Sequence, residues 1–277
     1  MPLNTLKDKL VVITGAASGI GRATALAFAK RGSHIVASDL NGEGLETLGR
    51  EVTALGVRFL SFVVDVTDAE AMKTFAANTK AQAGAADVLV NNAGIGYMGP
   101  FLKSDLAHWR RVLDINLMGV VHGCYFFLPD MLAAGGARHV LNVSSSAGNF
   151  PVPSMAAYAA SKGAVHGFSE VLRMELDRTP IGVTTVCPGV INTPIITIRG
   201  NISPAVPDKQ IANIQAFYIA KGATADSVAE DMVSATLDGR DYLLTGPTAK
   251  SVYYLNRLSP RLVRSKMVKL VRQSGLR

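Results

Sequence analysis

The chain has 277 residues, 48% of them hydrophobic, with 26 glycines and two cysteines, enough for one large domain or two small ones and a substantial core without disulfide support. Cys124 and Cys187 lie far apart with no C-x-x-C spacing, and the five histidines form no H-x-x-x-H or H-E-x-x-H group, which argues against a disulfide framework and leaves a metal without ligands. The net charge of +7 is unevenly placed: no acid follows Asp241, whereas eight basic residues do, so the main body gives no electrostatic case for a nucleic-acid partner.

At the start, Lys7 and Lys9 precede the apolar run "LVVI", which breaks at Thr14 and Gly15 and is too short for a signal-peptide core. No run approaches the roughly 18 apolar residues of a membrane span. A cytoplasmic protein is expected. Runs rich in branched apolar residues then recur: "LVVIT" (10–14), "HIVAS" (34–38), "VRFLSFVV" (57–64), "DVLV" (87–90), "HVLNV" (139–143) and "GVTTVC" (182–187). Between them lie stretches with helical spacing, such as "IGRATALAFAKR" and "AEAMKTFAANTKAQ". Strands alternating with helices predict βαβ units and an α/β fold whose parallel sheet is covered on both faces. In such a sheet ligands bind outside the carboxyl ends of the strands, so function is expected in the segments that follow them.

After the first strand comes "TGAASGIG", with Gly15, Gly19 and Gly21 at the entry to a helix. Glycines there permit a tight turn and let backbone N–H groups approach a pyrophosphate, and they also serve as plain strand-to-helix punctuation. Asp39, after the second strand, suits both a carboxylate for the ribose hydroxyls of an adenosine and a cap for the next helix. Asp65, in "DVTD" after the third, is open to the same two readings, an adenine contact or a cap. "NNAG" (91–94) after the fourth brings backbone at Asn92, Ala93 and Gly94 close to a ligand or makes a tight turn. The fifth strand ends in "NVSSSAG", where a serine can face a cleft or cap a helix. Thirteen residues beyond Ser145 stands "YAASK": on a helix, Tyr158 and Lys162 share one face a turn apart.

In order and spacing, "TGAASGIG", "NNAG", "NVSSSAG", "YAASK" and "PGVINT" resemble the short-chain dehydrogenases/reductases, in their compact one-domain branch, over roughly residues 7–195. The resemblance implies a doubly wound parallel sheet of Rossmann type in a single domain, with Tyr158 as general acid/base, Ser145 orienting the substrate oxygen and Asn116, in "NLMG", positioning a water for proton relay. Lys162 would bind the nicotinamide ribose and, together with the oxidised nicotinamide, depress the pKa of Tyr158, since a free phenol near pKa 10 is a poor base at neutral pH. The family's dinucleotide contacts fall on Gly15, Ser18, Gly19, Ile20, Gly21, Asp39, Asp65, Val66, Asn92, Ala93, Gly94, Tyr158, Lys162, Pro188, Gly189, Ile191 and Thr193, the last two toward the nicotinamide carboxamide. NAD is expected over NADP, because Asp39 would repel a 2′-phosphate and Ser18 and Leu40 stand where phosphate-binding relatives carry a basic residue.

Two stretches depart from the family pattern. Residues 194–221, largely apolar, would cover the substrate, and Ile195, Ile196, Phe217 and Tyr218, with Phe150, Val152 and Met155, fit an apolar pocket or a helix packed on the core. The catalytic domain is expected to span residues 1–250, and residues 251–277 to form a basic amphipathic extension. In that extension Val263, Met267, Leu270 and Val271 make an apolar stripe, with Arg261, Arg264, Lys269 and Arg272 around the other side. Such a helix docks on protein or lies on an anionic membrane as a peripheral contact, and its extra length favours a homodimer over the tetramer common in the family. The expected activity is hydride transfer between NAD(H) and an apolar secondary alcohol or ketone. The alternatives are an NADP-dependent carbonyl reductase, a sugar-nucleotide epimerase or dehydratase, and a non-catalytic dinucleotide sensor or scaffold.

Overall fold

Branched apolar residues that lack a polar alternate suit strands buried on both faces, and they form a sheet here. The computed structural model describes residues 3–150, 152–193, 195 and 198–273, with side chains at the far end as far as 269. The strands β1 (Leu10–Thr14), β2 (His34–Asp39), β3 (Phe59–Val63), β4 (Val88–Asn91), β5 (Arg138–Val143), β6 (Ile181–Pro188) and β7 (Tyr242–Thr245) are all parallel, in the order β3-β2-β1-β4-β5-β6-β7. The first six are those expected from the sequence. β7 was not expected: it is a four-residue edge strand bounded by Asp241 and Gly246, with only alternate residues fully buried.

Successive residues of each central strand feed opposite layers. Val11 and Ile13 of β1, Ile35 and Ala37 of β2 and Val88 and Val90 of β4 join one core; Leu10, Val12, Val36 and Leu89 join the other. The first core is closed by α1 (Gly19–Ala29), α2 (Gly42–Ala54) and α9 (Ala225–Asp238), through Phe28, Leu48 and Met232. The second is closed by α3 (Ala69–Ala83), α5 (Gly119–Ala134) and α7 (Ala156–Glu175), through Phe75, Phe127 and Leu172. Burial of this kind is worth about 1.5–3 kcal/mol per large apolar side chain. Cys124 and Cys187 are both buried free thiols, as expected, and burial pushes each up to about 12.

α4 (Leu106–Leu113) runs into α5 through a single wide turn, Asp114–Met118, so that residues 106–134 form one helical rod. The rod is long and apolar enough by composition to cross a membrane. One side of it packs against the sheet: Cys124, Phe127, Leu128 and Met131 are buried in the second core, and Val120 is buried as well. Beyond β5 come the short α6 (Ser146–Asn149), then α8 (Asp208–Lys221) after β6, and α10 (Ala249–Leu258) and α11 (Pro260–Gln273) after β7. The sheet order reverses between β1 and β4, and the crevice beyond their carboxyl ends is where the expected site residues meet.

Candidate active site

The turn from β1 into α1 is built for close approach. A side chain at Gly21 would put its Cβ 2.2 Å from the Gly15 carbonyl oxygen, and one at Gly15, where φ is +66°, would meet Ala93 Cα at 2.7 Å. The turn is tied to the end of β4 by Asn92, whose Nδ2 donates to the carbonyls of Thr14 and Gly15, both at 3.0 Å. Thr14 Oγ1 in turn accepts from the N–H groups of Asn92 and Ala93 at 3.1 Å. The Asn92 side chain is therefore spent on holding the glycine turn. Ser18, at the N-cap of α1, makes no side-chain cap bond, and the first turn of α1 carries no acid, so its N–H groups are left for a ligand.

The two aspartates open to a capping role do not cap. Asn41 caps α2 by accepting from Gly44 N, and Asp68 caps α3 by accepting from Glu70 N and Ala71 N. Asp39 instead accepts from Ala17 N at 2.9 Å and Asn41 N at 3.0 Å, which fixes its carboxylate at the end of β2 with lone pairs to spare. Asp65 accepts from the N–H and hydroxyl of Thr67 through one oxygen.

Beyond β5 the three serines divide their tasks. Ser144 Oγ donates to the Lys162 carbonyl at 2.7 Å, tying β5 to α7. Ser145 caps α6 by accepting from Ala147 N at 3.1 Å, while its own proton stays available. Both readings of the serine run therefore hold at once. Tyr158 and Lys162 lie one turn apart on α7, and Lys162, 3% exposed, donates from Nζ to the Val143 carbonyl at 2.8 Å. Burial lowers Lys162 to about 8 and pushes the Tyr158 phenol up to about 12, the latter against the pull of the Ser145 hydroxyl. Without a cofactor, burial governs both groups; the expected depression of the phenol involves the oxidised nicotinamide as well as Lys162 and concerns the loaded site.

A single cavity of about 1240 Å³ joins these parts. Its wall takes in Gly15, Ser18, Gly19, Ile20, Asp39, Asp65, Val66, Asn92, Ala93, Gly94, Ser145, Tyr158, Lys162, Pro188, Gly189, Ile191 and Thr193. Two expected residues stand behind it. Gly21 packs on the turn, and Asn116, fully buried in the wide turn between α4 and α5, accepts from Ile95 N at 2.8 Å and donates to Ile95 O and Ser161 Oγ, both at 3.0 Å. Of the apolar residues expected around the substrate, Phe150, Val152, Met155, Ile195, Phe217 and Tyr218 line the cavity; Ile196 lies outside the described residues. The wall also holds residues that sequence reasoning missed: Arg110, Arg111, Asn201 and Gln210, and, from the C-terminal helices, Thr248, Val252 and Met267. None belongs to a motif. The stripe predicted for the tail was the one available signal, and Val263 of that stripe is buried while Met267 faces the cavity.

The short chain dehydrogenase family model matches residues 9–200. The chain belongs to this family. It is 40% identical over 268 residues to the probable oxidoreductase EphD of Mycobacterium tuberculosis, covering 95% of this chain but only 45% of that protein. It is 35% identical over 260 residues to the putative oxidoreductase SadH of the same species, covering 92% of each. Among solved structures it superposes on a short-chain dehydrogenase/reductase from Burkholderia phymatum in complex with NAD with a TM-score of 0.86, at 30% identity over 94% of this chain and 96% of that one. The residues of this chain fit a nicotinamide dinucleotide: a glycine turn packed too closely for a Cβ at Gly15, a helix N-terminus with no side-chain cap, and a fixed carboxylate line one cavity with Ser145, Tyr158 and Lys162.

Proposed function

We propose that the enzyme interconverts an apolar secondary alcohol and its ketone and prefers NAD(H) to NADP(H). The observation that carries the reading is that Ser145, Tyr158 and Lys162 stand in the same cavity as Asp39 and the glycine turn, among Phe150, Met155, Ile195 and Phe217. The cofactor would be held by the turn at Gly15–Gly21, Asp39, Asp65 and Val66, the backbone at Asn92–Gly94 and the segment from Pro188 to Thr193, and when bound it supplies the hydride donor or acceptor. Ser145, with its proton free, donates to the substrate oxygen and orients it. Tyr158 as a neutral phenol supplies the proton that oxygen needs as a ketone is reduced and is left a phenolate; in the reverse direction the phenolate takes the hydroxyl proton as an alcohol is oxidised. Lys162 places a cation one turn away, which favours negative charge on the Tyr158 oxygen, and that support fades as Lys162 loses its own proton near pH 8. Asn116 sets the backbone at Ile95 behind the site, and a water relay would start from there.

The NAD preference is supported by Asp39, whose fixed carboxylate would face a 2′-phosphate with no compensating cation at Ser18 or Leu40. An apolar substrate is supported by the lining residues. A homodimer is supported by the exposed Tyr125, Leu132, Val171 and Met174 along α5 and α7. A panel of secondary alcohols and ketones, screened by nicotinamide absorbance with both cofactors, tests the proposal. Tyr158→Phe should bind cofactor but lose on the order of 10²-fold or more in turnover. Wild-type turnover by the Phe variant would overturn the proton role, and a higher kcat/KM with NADP(H) would overturn the cofactor assignment.

A further inference from the structure

A helix of one turn cannot hold itself, because the cost of ordering its residues falls on too few hydrogen bonds, and its carbonyls need partners from elsewhere. α6 is such a helix, and its N-cap is Ser145. Two amides tie that cap down: Ala147 N donates to Ser145 Oγ at 3.1 Å, and Gly148 N donates to Ser145 O at 3.0 Å. On one side α6 lies so close to α7 that a Cβ at Gly148 would come within 2.7 Å of the Lys162 carbonyl carbon. At its end the Asn149 side chain donates from Nδ2 to Cys187 Sγ at 3.6 Å, and the Asn149 carbonyl accepts from Asn256 Nδ2 at 2.7 Å. Asn256 stands 107 residues further along the chain, on α10.

α10 is anchored in turn. Its first residue, Ala249, is buried against the segment after β6: a Cβ at Gly189 would come within 2.3 Å of the Pro247 carbonyl oxygen and 3.3 Å of Ala249 Cβ. Further on, the Tyr253 ring lies 6.5 Å from that of Tyr242 on β7, and its hydroxyl accepts from Arg257 Nη1 at 2.6 Å. Val252 and Asn256, four residues apart, share a face of the helix; the first lines the cavity and the second reaches α6. The helix thus links the stretch after β6 to the stretch after β5, which bring Gly189 and Ser145 to the same cavity.

We propose that Asn256 is a positioning residue for Ser145, and that α10 acts through it as a brace: by fixing the end of the one-turn α6 it fixes the serine that caps the other end. The proposal rests on the reading of Ser145 as the group that orients the substrate oxygen, and it gives the C-terminal extension a part in that task. A misplacement of about 1 Å near the reacting atoms costs up to about 10²-fold in rate, and a single turn released at its end has room for it. The glycine turn and Asp39 are held by hydrogen bonds of their own, so cofactor affinity should survive the loss of Asn256.

The test uses the full chain and Asn256→Leu, which keeps the volume and removes the donor. Amide hydrogen exchange needs no substrate: residues 145–150 should exchange at least about tenfold faster in the variant, with β5 and β6 unchanged. Unchanged exchange at 145–150 overturns the brace, and faster exchange across the sheet as well overturns the positioning role, marking Asn256 as a general structural residue. Turnover is read with NADH and the straight-chain methyl ketone that the wild type reduces fastest. Asn256→Leu should lower kcat about tenfold or more with KM for NADH within about twofold, and the same substitution in a Ser145→Ala chain should change the residual kcat by less than about twofold. Equal losses in the two backgrounds, or an unchanged kcat, overturn the proposal. If no ketone is reduced with NADH or NADPH while exchange at 145–150 still rises alone, the brace on Ser145 stands and the ketone reading falls.

Discussion

His139 offers a measurement of how strongly this sheet resists charge. It sits in β5, the strand that delivers Ser144 and Ser145, opposite Val88 on one side and Gly182 on the other, with no exposure to solvent. Thr184 Oγ1 gives its proton to the Arg240 carbonyl, so the His139 ring must donate to Thr184 from Nε2, at 2.7 Å, and its Nδ1 is left as a buried acceptor without a partner. Protonating Nδ1 would place a cation in the core. Burial, helped by the positive charges of the N-terminus and Arg173, lowers the imidazole from 6.5 to about 3. The unfolded chain thus binds a proton below pH 6.5 that the folded chain refuses. The neutral ring's contribution is complete above pH 6.5 and is lost as pH falls toward 3. At about 1.4 kcal/mol per pH unit, the loss amounts to about 3 kcal/mol by pH 4.5. His139→Gln keeps an N–H donor for Thr184 and cannot titrate. Urea unfolding of both proteins between pH 7.5 and 4.5 should show the wild type losing stability faster by that amount. Parallel curves would refute the argument.

Three further outcomes follow from the site. Gly21→Ala forces a Cβ to within 2.2 Å of the Gly15 carbonyl and 2.5 Å of Asn92 Nδ2, so it should lower the melting temperature and weaken NADH binding at least about tenfold, read by fluorescence titration; an unchanged Kd would remove the glycine turn from the cofactor site. With Tyr158 held up to about 12, kcat/KM for alcohol oxidation should climb with pH through the alkaline range while that for ketone reduction holds; a flat oxidation profile would show that another group takes the proton. Because Val263 is buried and Met267 lines the cavity, a chain ending at Ser259 should lose substrate affinity, and the full chain should pellet with anionic vesicles no more than the shortened one; salt-sensitive pelleting of the full chain alone would assign the basic face of α11 to a membrane.

The five inner strands were legible because residues buried on both faces leave unbroken apolar runs, the edge strand β3 because it lies in the long run "VRFLSFVV", and the glycine turn, "YAASK" and the residues after each strand because their spacing is local. β7 escaped because an edge strand of four residues pairs on one side only, and "YLLT" resembles any short apolar stretch. Asp39 and Asp65 were ambiguous for a similar reason. A cap and a ligand contact call for the same side chain within two or three residues, and only the observed bonds of Asn41 and Asp68 separate the roles. Arg111 carries no local signal, and Asn201 and Gln210 lie within the expected substrate-covering segment 194–221 without belonging to any motif; all three line one cavity.

The relation between Tyr158 and Lys162 shows a different limit. A spacing of four on a helix establishes that two groups are near each other, and proximity of an ammonium to a phenol suggests a more acidic phenol. Which protonation states prevail depends on how much water each group keeps, and that is a property of the whole fold. Here the packing that brings α7 against β5, with Ser144 Oγ on the Lys162 carbonyl and Lys162 Nζ on Val143, strips both groups of solvent. Each then disfavours its own charged form: the lysine comes down to about 8 and the tyrosine rises to about 12. The two values move apart, so a charge on either group is costly without its partner, and a protonated Lys162 beside a Tyr158 that has given up its proton would be a pair that this medium resists less than an isolated charge.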